Sequence, residues 1–457
     1  MPIPSSRSLL SSSRRPLLKT SLSLLVFAVS AGCTGILGDF TVSDVVTPQD
    51  GATVTEGGGG GDAEAGATCA APTRACPNGT CAGPEDPRAC GPSCIVCPAP
   101  TGGTPVCTPA GVCEGRCPGT AKACGGACRD VTTDKDHCGD CGRSCGGGDC
   151  VAGQCRPVTL TATLTKATDI ALSPNDVFVN ADGKVRRCAK TGCAAATPLW
   201  AGGDLSVPGP HMLAIDLNYA YFAQDIGANR FLSRCQLGGC ASSPQQITVT
   251  PAPPPGNFEA LAVEGSSYFF AGTYSGVREA PLGGGAVTRS YSNFAGTGFP
   301  AANAQYVVWS DKFGGGVRQC ARSGAGCTTS TELTAGVTTT ELLVFAGRAI
   351  FVAAVAGGTE IQGCNVVGCS GAPTVIAREP ASTMVTGLAV DPSGVYWSTS
   401  SGEIRACKVA GGCAAGGGTV VDLARSQAGV SAVATDAEFV YWVTDAVGTG
   451  AIRRVRK

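Results

Sequence analysis

Cysteine is the residue of this chain with the most obvious chemical potential. Between Cys124 and Cys150 six cysteines fall within 27 residues, in the stretch CGGACRDVTTDKDHCGDCGRSCGGGDC, with a Cys-x-x-Cys at Cys138 and Cys141. Such spacing serves a zinc site, a redox dithiol or a disulfide framework. Zinc needs four thiolates or imidazoles in a tetrahedral set, and Cys94/Cys97 with Cys138/Cys141 can be drawn that way. That drawing leaves twelve neighbouring cysteines unexplained and has one histidine nearby, His137. A thioredoxin-like site would open a β-α unit, and none follows here. Disulfides account for the whole set. The chain has 27 cysteines, of which one, Cys33, stands alone near the start, sixteen lie between Cys69 and Cys155, and ten lie further on.

Acid–base candidates are few. Two histidines in 457 residues leave little choice of proton carrier. No Gly-x-Ser-x-Gly elbow accompanies a usable histidine, and no His-Glu-x-x-His is present. Aligned on the repeat described below, Thr168, His211, Glu259, Gly298, Glu341, Thr386 and Ser431 fall in one column. In the expected architecture this column faces a central channel near one rim. His211 and Glu259, from adjacent copies, would converge there on a small polar ligand or cation, while the plainer reading is that a channel mouth is wet and therefore polar. A second column holds Arg186, Arg278, Arg318, Arg405 and Arg453, two residues before the position of a paired cysteine. Stacking on aromatics such as Trp397 or Trp442, or pairing between blades, explains those arginines better than ligand binding.

The elements that must position these residues recur. Apolar-aromatic triplets centre on Phe178, Tyr221, Phe269, Val308, Phe351, Tyr396 and Tyr441, at intervals of 39 to 48 residues. Short strands flank each triplet, separated by Gly, Asp, Ser and Asn turns. Four strands per unit, seven times over, is the pattern of a seven-bladed β-propeller. The last copy stops after its third strand, and Pro157 to Thr163 can supply the fourth, closing the ring and removing two open sheet edges. Five copies carry a cysteine pair after the third strand: Cys188/Cys193, Cys235/Cys240, Cys320/Cys327, Cys364/Cys369 and Cys407/Cys413. Glycine precedes the second cysteine each time, as a tight hairpin requires, so each pair reads as a disulfide clamp on the outside of the wheel. The resemblance is to seven-bladed propellers in general. Tryptophan-aspartate and kelch signatures are missing.

The sixteen cysteines before the propeller divide into two sets of eight, Cys69 to Cys113 and Cys117 to Cys155, a duplicated unit of about 40 residues. Large apolar residues are scarce in them, so covalent staples must replace a core. With its Cys-Gly-Gly-x-Cys, Thr-Asp and Cys-Gly-x-Cys-Gly-x-x-Cys pattern, the segment resembles the cysteine-rich modules of surface and secreted proteins of predatory, fruiting (myxobacterial-type) soil bacteria. That resemblance implies no activity.

The first 32 residues read as an export signal. Arg14-Arg15 precede an apolar run, Thr20 to Ala31, too short to span a bilayer. Ser30-Ala31-Gly32-Cys33 resembles a bacterial lipoprotein processing box, with Ser30 where a branched apolar residue is usual, and the resemblance implies lipidation of Cys33. Ser13 to Lys19 also resembles a twin-arginine motif, which leaves the export route open. Thr34 lacks the acid that retains lipoproteins in the inner membrane, so an outer-membrane address is implied. Residues 33–68 are then an anchored linker rich in Gly, Thr and acids.

The expected organisation is thus export signal 1–32, linker 33–68, disulfide-rich and loop-dominated module 69–156, and all-β propeller 157–457. Net charge is −1 and no large basic run occurs, which argues against nucleic acid. The functional expectation is a monomeric cell-envelope lipoprotein, without cofactor or metal, whose propeller is a non-catalytic scaffold for protein or glycan. The alternative is a lyase- or lactonase-type enzyme at the channel rim, relying on His211 and Glu341.

Overall fold

The computed structural model describes residues 69–457 except 201–211, 227–228, 241–242, 252–259, 273–275, 292–296, 312–314, 324–326, 328–329, 370–371, 409–412, 414–418 and 446–449. The calls on Cys33, His211 and Glu259 lie outside the described residues. Every regular element among the described residues is a strand.

Seven four-stranded antiparallel sheets follow one another around a ring. Their innermost strands are Asp169–Leu172, Leu213–Ile215, Ala260–Glu264, Thr297–Ala302, Thr338–Phe345, Val385–Asp391 and Val430–Thr435. The second strands carry the apolar-aromatic triplets, which pack between neighbouring blades. Phe178, Tyr221, Phe269, Val308, Phe351, Tyr396 and Tyr441 are all buried, as are Trp309, Trp397 and Trp442 beside them. Alternation with period two sends successive residues to the two faces of each sheet, and both faces meet another blade, so the triplets are apolar throughout. The fourth strand of blade 7 is Val158–Leu164, which pairs antiparallel with Gly450–Arg456. The start of the propeller therefore closes it, and no blade is left with an open outer edge toward a missing partner.

Five disulfides join the cysteine pairs of blades 1, 2, 4, 5 and 6: Cys188–Cys193, Cys235–Cys240, Cys320–Cys327, Cys364–Cys369 and Cys407–Cys413. Gly192, Gly239 and Gly368, just before the second cysteine, adopt positive φ, which turns the chain back within so short a loop. Three of the turns reach the neighbouring blade through backbone. The amide of Cys193 donates to the carbonyl of Leu160 (3.0 Å), that of Cys240 to Leu199 (2.7 Å) and that of Cys413 to Ile376 (2.6 Å). All three acceptors belong to the preceding blade or its exit.

In blades 1, 2, 4 and 5 the first cysteine of the clamp is buried and the second half-buried, and in blade 6 both are buried. Cys327 packs at the margin of the apolar layer between blades 3 and 4, beside Trp309 and Tyr291, and Cys369 at the margin of the layer between blades 4 and 5. One sulfur of each of these two pairs thus belongs to the core and the other seals its edge. The difference arises because the first cysteine ends a strand whose face is covered by the preceding blade, while the second sits on the turn beyond it. Through backbone or through packing, the clamps lock blade to blade, beyond stiffening a hairpin. Blade 3 has no cysteines and makes the same junction with backbone alone: Val249–Thr250 pairs in parallel with Gly285–Ala286.

In the arginine column, Arg186 and Arg318 pair within their own blades and Arg405 reaches the preceding one. Arg318, Arg405 and Arg453 lie opposite Trp309, Trp397 and Trp442 in the strand pairing. Arg186 pairs with Asp182 at 3.1 Å, and Arg318 with Asp311 and Glu332 at 3.1 and 3.0 Å. Arg405 of blade 6 reaches the buried Glu379 of blade 5, which also accepts the Trp397 indole N–H at 2.7 Å. At the junction of blades 3 and 4, Glu279 is equally buried and meets Arg322 at 2.8 Å and Arg289 at 3.2 Å. Burial alone would raise the Glu279 carboxyl, but hydrogen bonds from Tyr291, Ser267 and Arg322 outweigh it and hold the group below its ordinary range.

The stapled module consists of two-stranded hairpins and turns. Cys69–Cys81, Cys76–Cys94, Cys90–Cys107 and Cys97–Cys113 bridge its first half. Cys117–Cys128, Cys124–Cys141, Cys138–Cys150 and Cys145–Cys155 bridge the second. Both halves join first to third, second to fifth, fourth to seventh and sixth to eighth cysteine. Their backbones agree as well. Gly91 packs against Gly111 and Gly139 against Gly153, each pair so close that a Cβ on the first glycine would sit 2.6 Å from a carbonyl oxygen. The module is therefore a duplication in three dimensions. Its second half docks on blade 7: Gly146 lies against the Phe439 ring, and its carbonyl accepts from Arg454 at 3.0 Å.

Candidate functional site

The inner strands leave one sheet edge facing the ring axis, and the cavity they enclose measures about 300 Å³. In six blades the residue seven before the centre of the triplet pairs with it across the hairpin: Ala171 with Phe178, Ala214 with Tyr221, Ala262 with Phe269, Ala301 with Val308, Ala389 with Tyr396 and Ala434 with Tyr441. In blade 5 Phe351 pairs with Leu342, nine residues back. The Ala346-Gly347 turn of that blade starts one residue earlier than its counterparts, and moving a turn by one shifts the register by two. Both residues take positive φ, as a two-residue turn between twisted strands demands.

This shift corrects the column read from sequence. Glu341 does not stand level with Thr168, Thr386 and Ser431. It stands level with Ile170, Leu213, Leu261, Pro300, Leu388 and Val433, and is the one polar member of an otherwise apolar ring lining the cavity. An even shift keeps the side chain on the same face of the strand, so Glu341 still points where an apolar residue would. Burial in the channel, and then the charge of Asp169, hold its carboxyl well above the ordinary carboxylate range.

Asp169 lines the same cavity from blade 1. One carboxylate oxygen accepts the backbone amides of Met212 and Leu213 in blade 2, each at 3.0 Å, and the other accepts the amide of Ile170 at 2.8 Å. Sequence reasoning passed over Asp169 in favour of its neighbour Thr168. The available signal was a charged residue inside the apolar strand Asp169–Leu172.

Three further described members of the column hold hydrogen bonds, two within a blade and one between blades 7 and 1. Thr168 Oγ1 accepts from Asn180 Nδ2 at 2.9 Å, the Thr386 and Ser398 hydroxyls share a hydrogen bond of 2.9 Å, and Ser431 donates to the Ala167 carbonyl at 2.6 Å. Gly298 is buried. The channel therefore offers two carboxyl groups from opposite sides of the ring, one bound to backbone amides, one driven toward its protonated form. Such a pair is suited to a cationic or hydrogen-bonding ligand, and it is also the simplest constellation for moving a proton.

Two cysteine trios, Cys90/Cys97/Cys113 and Cys138/Cys145/Cys155, bring their sulfurs within 4.8 Å of one another at matching positions of the duplicated module. All six are joined in disulfides, which removes the thiolates that zinc would need. The ten propeller cysteines are likewise joined, the half-buried Cys327 and Cys369 included, so none of them brings a thiolate to the channel.

No protein-family model and no curated protein matches the chain. Among solved structures it is similar to PorZ, described as an essential bacterial surface component of the type-IX secretion system of Porphyromonas gingivalis (14% identity, 65% of this chain and 39% of that one, TM-score 0.46). It is also similar to BamB from Moraxella catarrhalis (12% identity, 78% and 95%, TM-score 0.41) and to the WD40 propeller domain of Doa1 (12% identity, 65% and 96%, TM-score 0.48). Likenesses of this degree carry no information on activity or partner.

Proposed function

We propose that the chain is an exported envelope protein, anchored through a lipidated Cys33, whose propeller is a rigid non-catalytic platform for a protein or glycan. The observation that carries this reading is covalent. Thirteen disulfides pair every cysteine from Cys69 onward. Such a framework forms and persists in oxidising compartments outside the cytoplasm. Support for the anchor is the Ser30-Ala31-Gly32-Cys33 box alone. The platform reading rests on a closed ring in which Thr168, Thr386 and Ser431 of the polar column and Arg186, Arg318 and Arg405 of the arginine column are engaged by partners within or between blades. Fractionation of cells expressing the wild type and Cys33→Ser tests the anchor: the wild type should stay in the membrane fraction and the variant should leave it. Retention of both would reject lipidation.

A second reading, an enzyme of lyase or lactonase type, is favoured by one observation, the amide-bound Asp169 and a Glu341 whose carboxyl burial pushes well above the ordinary range, lining a single cavity. Turnover of a lactone panel by the wild type, lost in both Asp169→Asn and Glu341→Gln, would establish it. Unchanged partner binding by those variants, with no turnover by any form, would establish the platform.

A further inference from the structure

The junctions between blades 6, 7 and 1 follow one rule. An aspartate at the turn after the innermost strand meets a lysine from the end of the next blade's third strand. Asp436 of blade 7 meets Lys190 of blade 1 at 2.8 Å, and Asp391 of blade 6 meets Lys457 of blade 7. A tyrosine one strand over completes each site: Tyr441 donates to Asp436 at 2.9 Å, and Lys457 lies over the Tyr396 ring. Cation, acid and aromatic ring together fill the space between blades.

The junction of blades 5 and 6 breaks the rule on the acidic side only. At its turn blade 5 has Phe345-Ala346-Gly347, without an acid. A cavity of about 270 Å³ opens there, walled by Phe345, Ile350, Ile376, Val390 and Val395. Two cations line it, Arg348 and Lys408. Neither has a hydrogen bond or ion pair among the described residues. The Arg348 guanidinium lies against Gly363, where a Cβ would come within 2.9 Å of it, and Arg348 thereby borders both this cavity and a neighbouring one lined by Gly363, Asn365 and Thr374. The one acid on the wall, Asp391, is spent: it accepts from Ser393, Gly394 and Thr435 and holds Lys457. Arg143 of the stapled module adds a third positive charge nearby and, after burial, depresses the Lys408 ammonium. The neighbouring loop segments outside the described residues, 370–371, 409–412 and 414–418, contain no charged residue in sequence.

We propose that this cavity binds a carboxylate carried on a compact apolar group, whose charge takes the place of the aspartate that the next two junctions supply for themselves. The apolar walls select a short aliphatic or aromatic body, and a cavity of this size excludes a large one. Arg348 presents a planar fork that matches a carboxylate, with Lys408 as a point charge beside it. The same chemistry is found in a free small acid and in the carboxyl end of a peptide whose last residue is apolar. The site is separate from the channel and does not depend on the platform reading.

The test uses the full oxidised chain and calorimetric titration, with phenylacetate, phenylacetamide, Gly-Gly-Phe and Gly-Gly-Phe amide as probes at up to about 5 mM. Phenylacetate or Gly-Gly-Phe should bind, and each amide should bind at least about tenfold more weakly. Arg348→Gln should weaken binding by about tenfold or more and Lys408→Gln by less. Ala346→Asp supplies a second, gain-of-contact variant at a position whose positive φ suits aspartate. It should raise the melting temperature by pairing with the two cations and abolish binding by occupying their site. Tighter binding of the tripeptide supports the site with a peptide end as its source, and tighter binding of phenylacetate supports it with a free acid. Failure of both acids to bind, equal binding of acid and amide, or undiminished binding by Ala346→Asp would overturn the proposal.

Discussion

Cys138 in the stapled module and Trp397 in the propeller are both fully buried, yet they are buried by different means. Around Cys138 the module's own contribution is sulfur: Cys145, Cys150 and Cys155 share its cluster with apolar residues of blades 6 and 7 such as Tyr396 and Trp442, while the larger apolar residues of the first half, Ile95, Val96 and Val112, stand more than half exposed. Around Trp397 it is a continuous layer of Ile350, Val352, Ile361, Leu388 and Val395 contributed by two blades. A unit of about 40 residues cannot enclose enough carbon to offset its chain entropy, and the module replaces that burial with four crosslinks per unit. A ring of seven sheets can enclose it, because each blade gives both faces to its neighbours. The propeller's own disulfides close loops of only five to seven residues, and such loops recover little chain entropy. One kind of bond therefore has two roles, indispensable in the module and incremental in the ring.

The contrast sets an order of effects. Trp397→Ala removes a layer-spanning ring and leaves Glu379 short of a donor. It should destabilise the propeller by about 3–5 kcal/mol in chemical denaturation and leave the module's disulfide pairing unchanged in peptide mapping. Replacing both Cys138 and Cys150 by serine should cost about 2–5 kcal/mol of module stability, exposing residues 117–155 to limited proteolysis while the blades resist. Replacing both Cys188 and Cys193 should cost about 2 kcal/mol, because the Cys193 amide still has Leu160 to meet. If that loss equals the one in the module, the distinction between the two roles fails. Blade 3 sharpens the point, since it makes its junction through Gly285 and Val287 amides with no sulfur at all.

The smallest effect concerns the channel. Below the carboxyl's ordinary range Glu341 is protonated in both folded and unfolded chains and contributes nothing to pH dependence. Above it the unfolded chain releases the proton and the folded chain retains it, so folding carries a cost that grows with pH until the raised folded value is passed. Glu341→Gln should therefore raise the melting temperature at pH 7 and leave it nearly unchanged at pH 4. A destabilised variant at pH 7 would mean that the carboxylate is charged and paired in the folded ring.

Much of this was legible in the sequence for a physical reason. Blade strands alternate between two buried faces, so the triplets around Phe178 to Tyr441 had to be apolar and periodic, and the leftover strand before Val177 had to close the ring. The cysteine clamps were legible because glycine marks the turn. What was not legible was register. A count back from each triplet assumes equal hairpins, and the early Ala346-Gly347 turn moves Glu341 from the rim into the apolar ring. The pairing of the module's cysteines was also beyond the sequence, because spacing does not say which sulfurs meet. Nor did it show that the clamp loops reach the preceding blade. Backbone amides make that contact at Cys193, Cys240 and Cys413 and carry no side-chain signature, and the half-burial of Cys327 and Cys369 depends on packing from another blade.

The most direct test of the two roles is hydrogen exchange resolved along the chain, with and without a reductant strong enough to open every disulfide. Complete loss of protection in residues 69–155, with the second strands of all seven blades still protected, is the result that this division of labour predicts. Loss of protection in both regions together would show that the propeller, too, stands on its disulfides, and would contradict it.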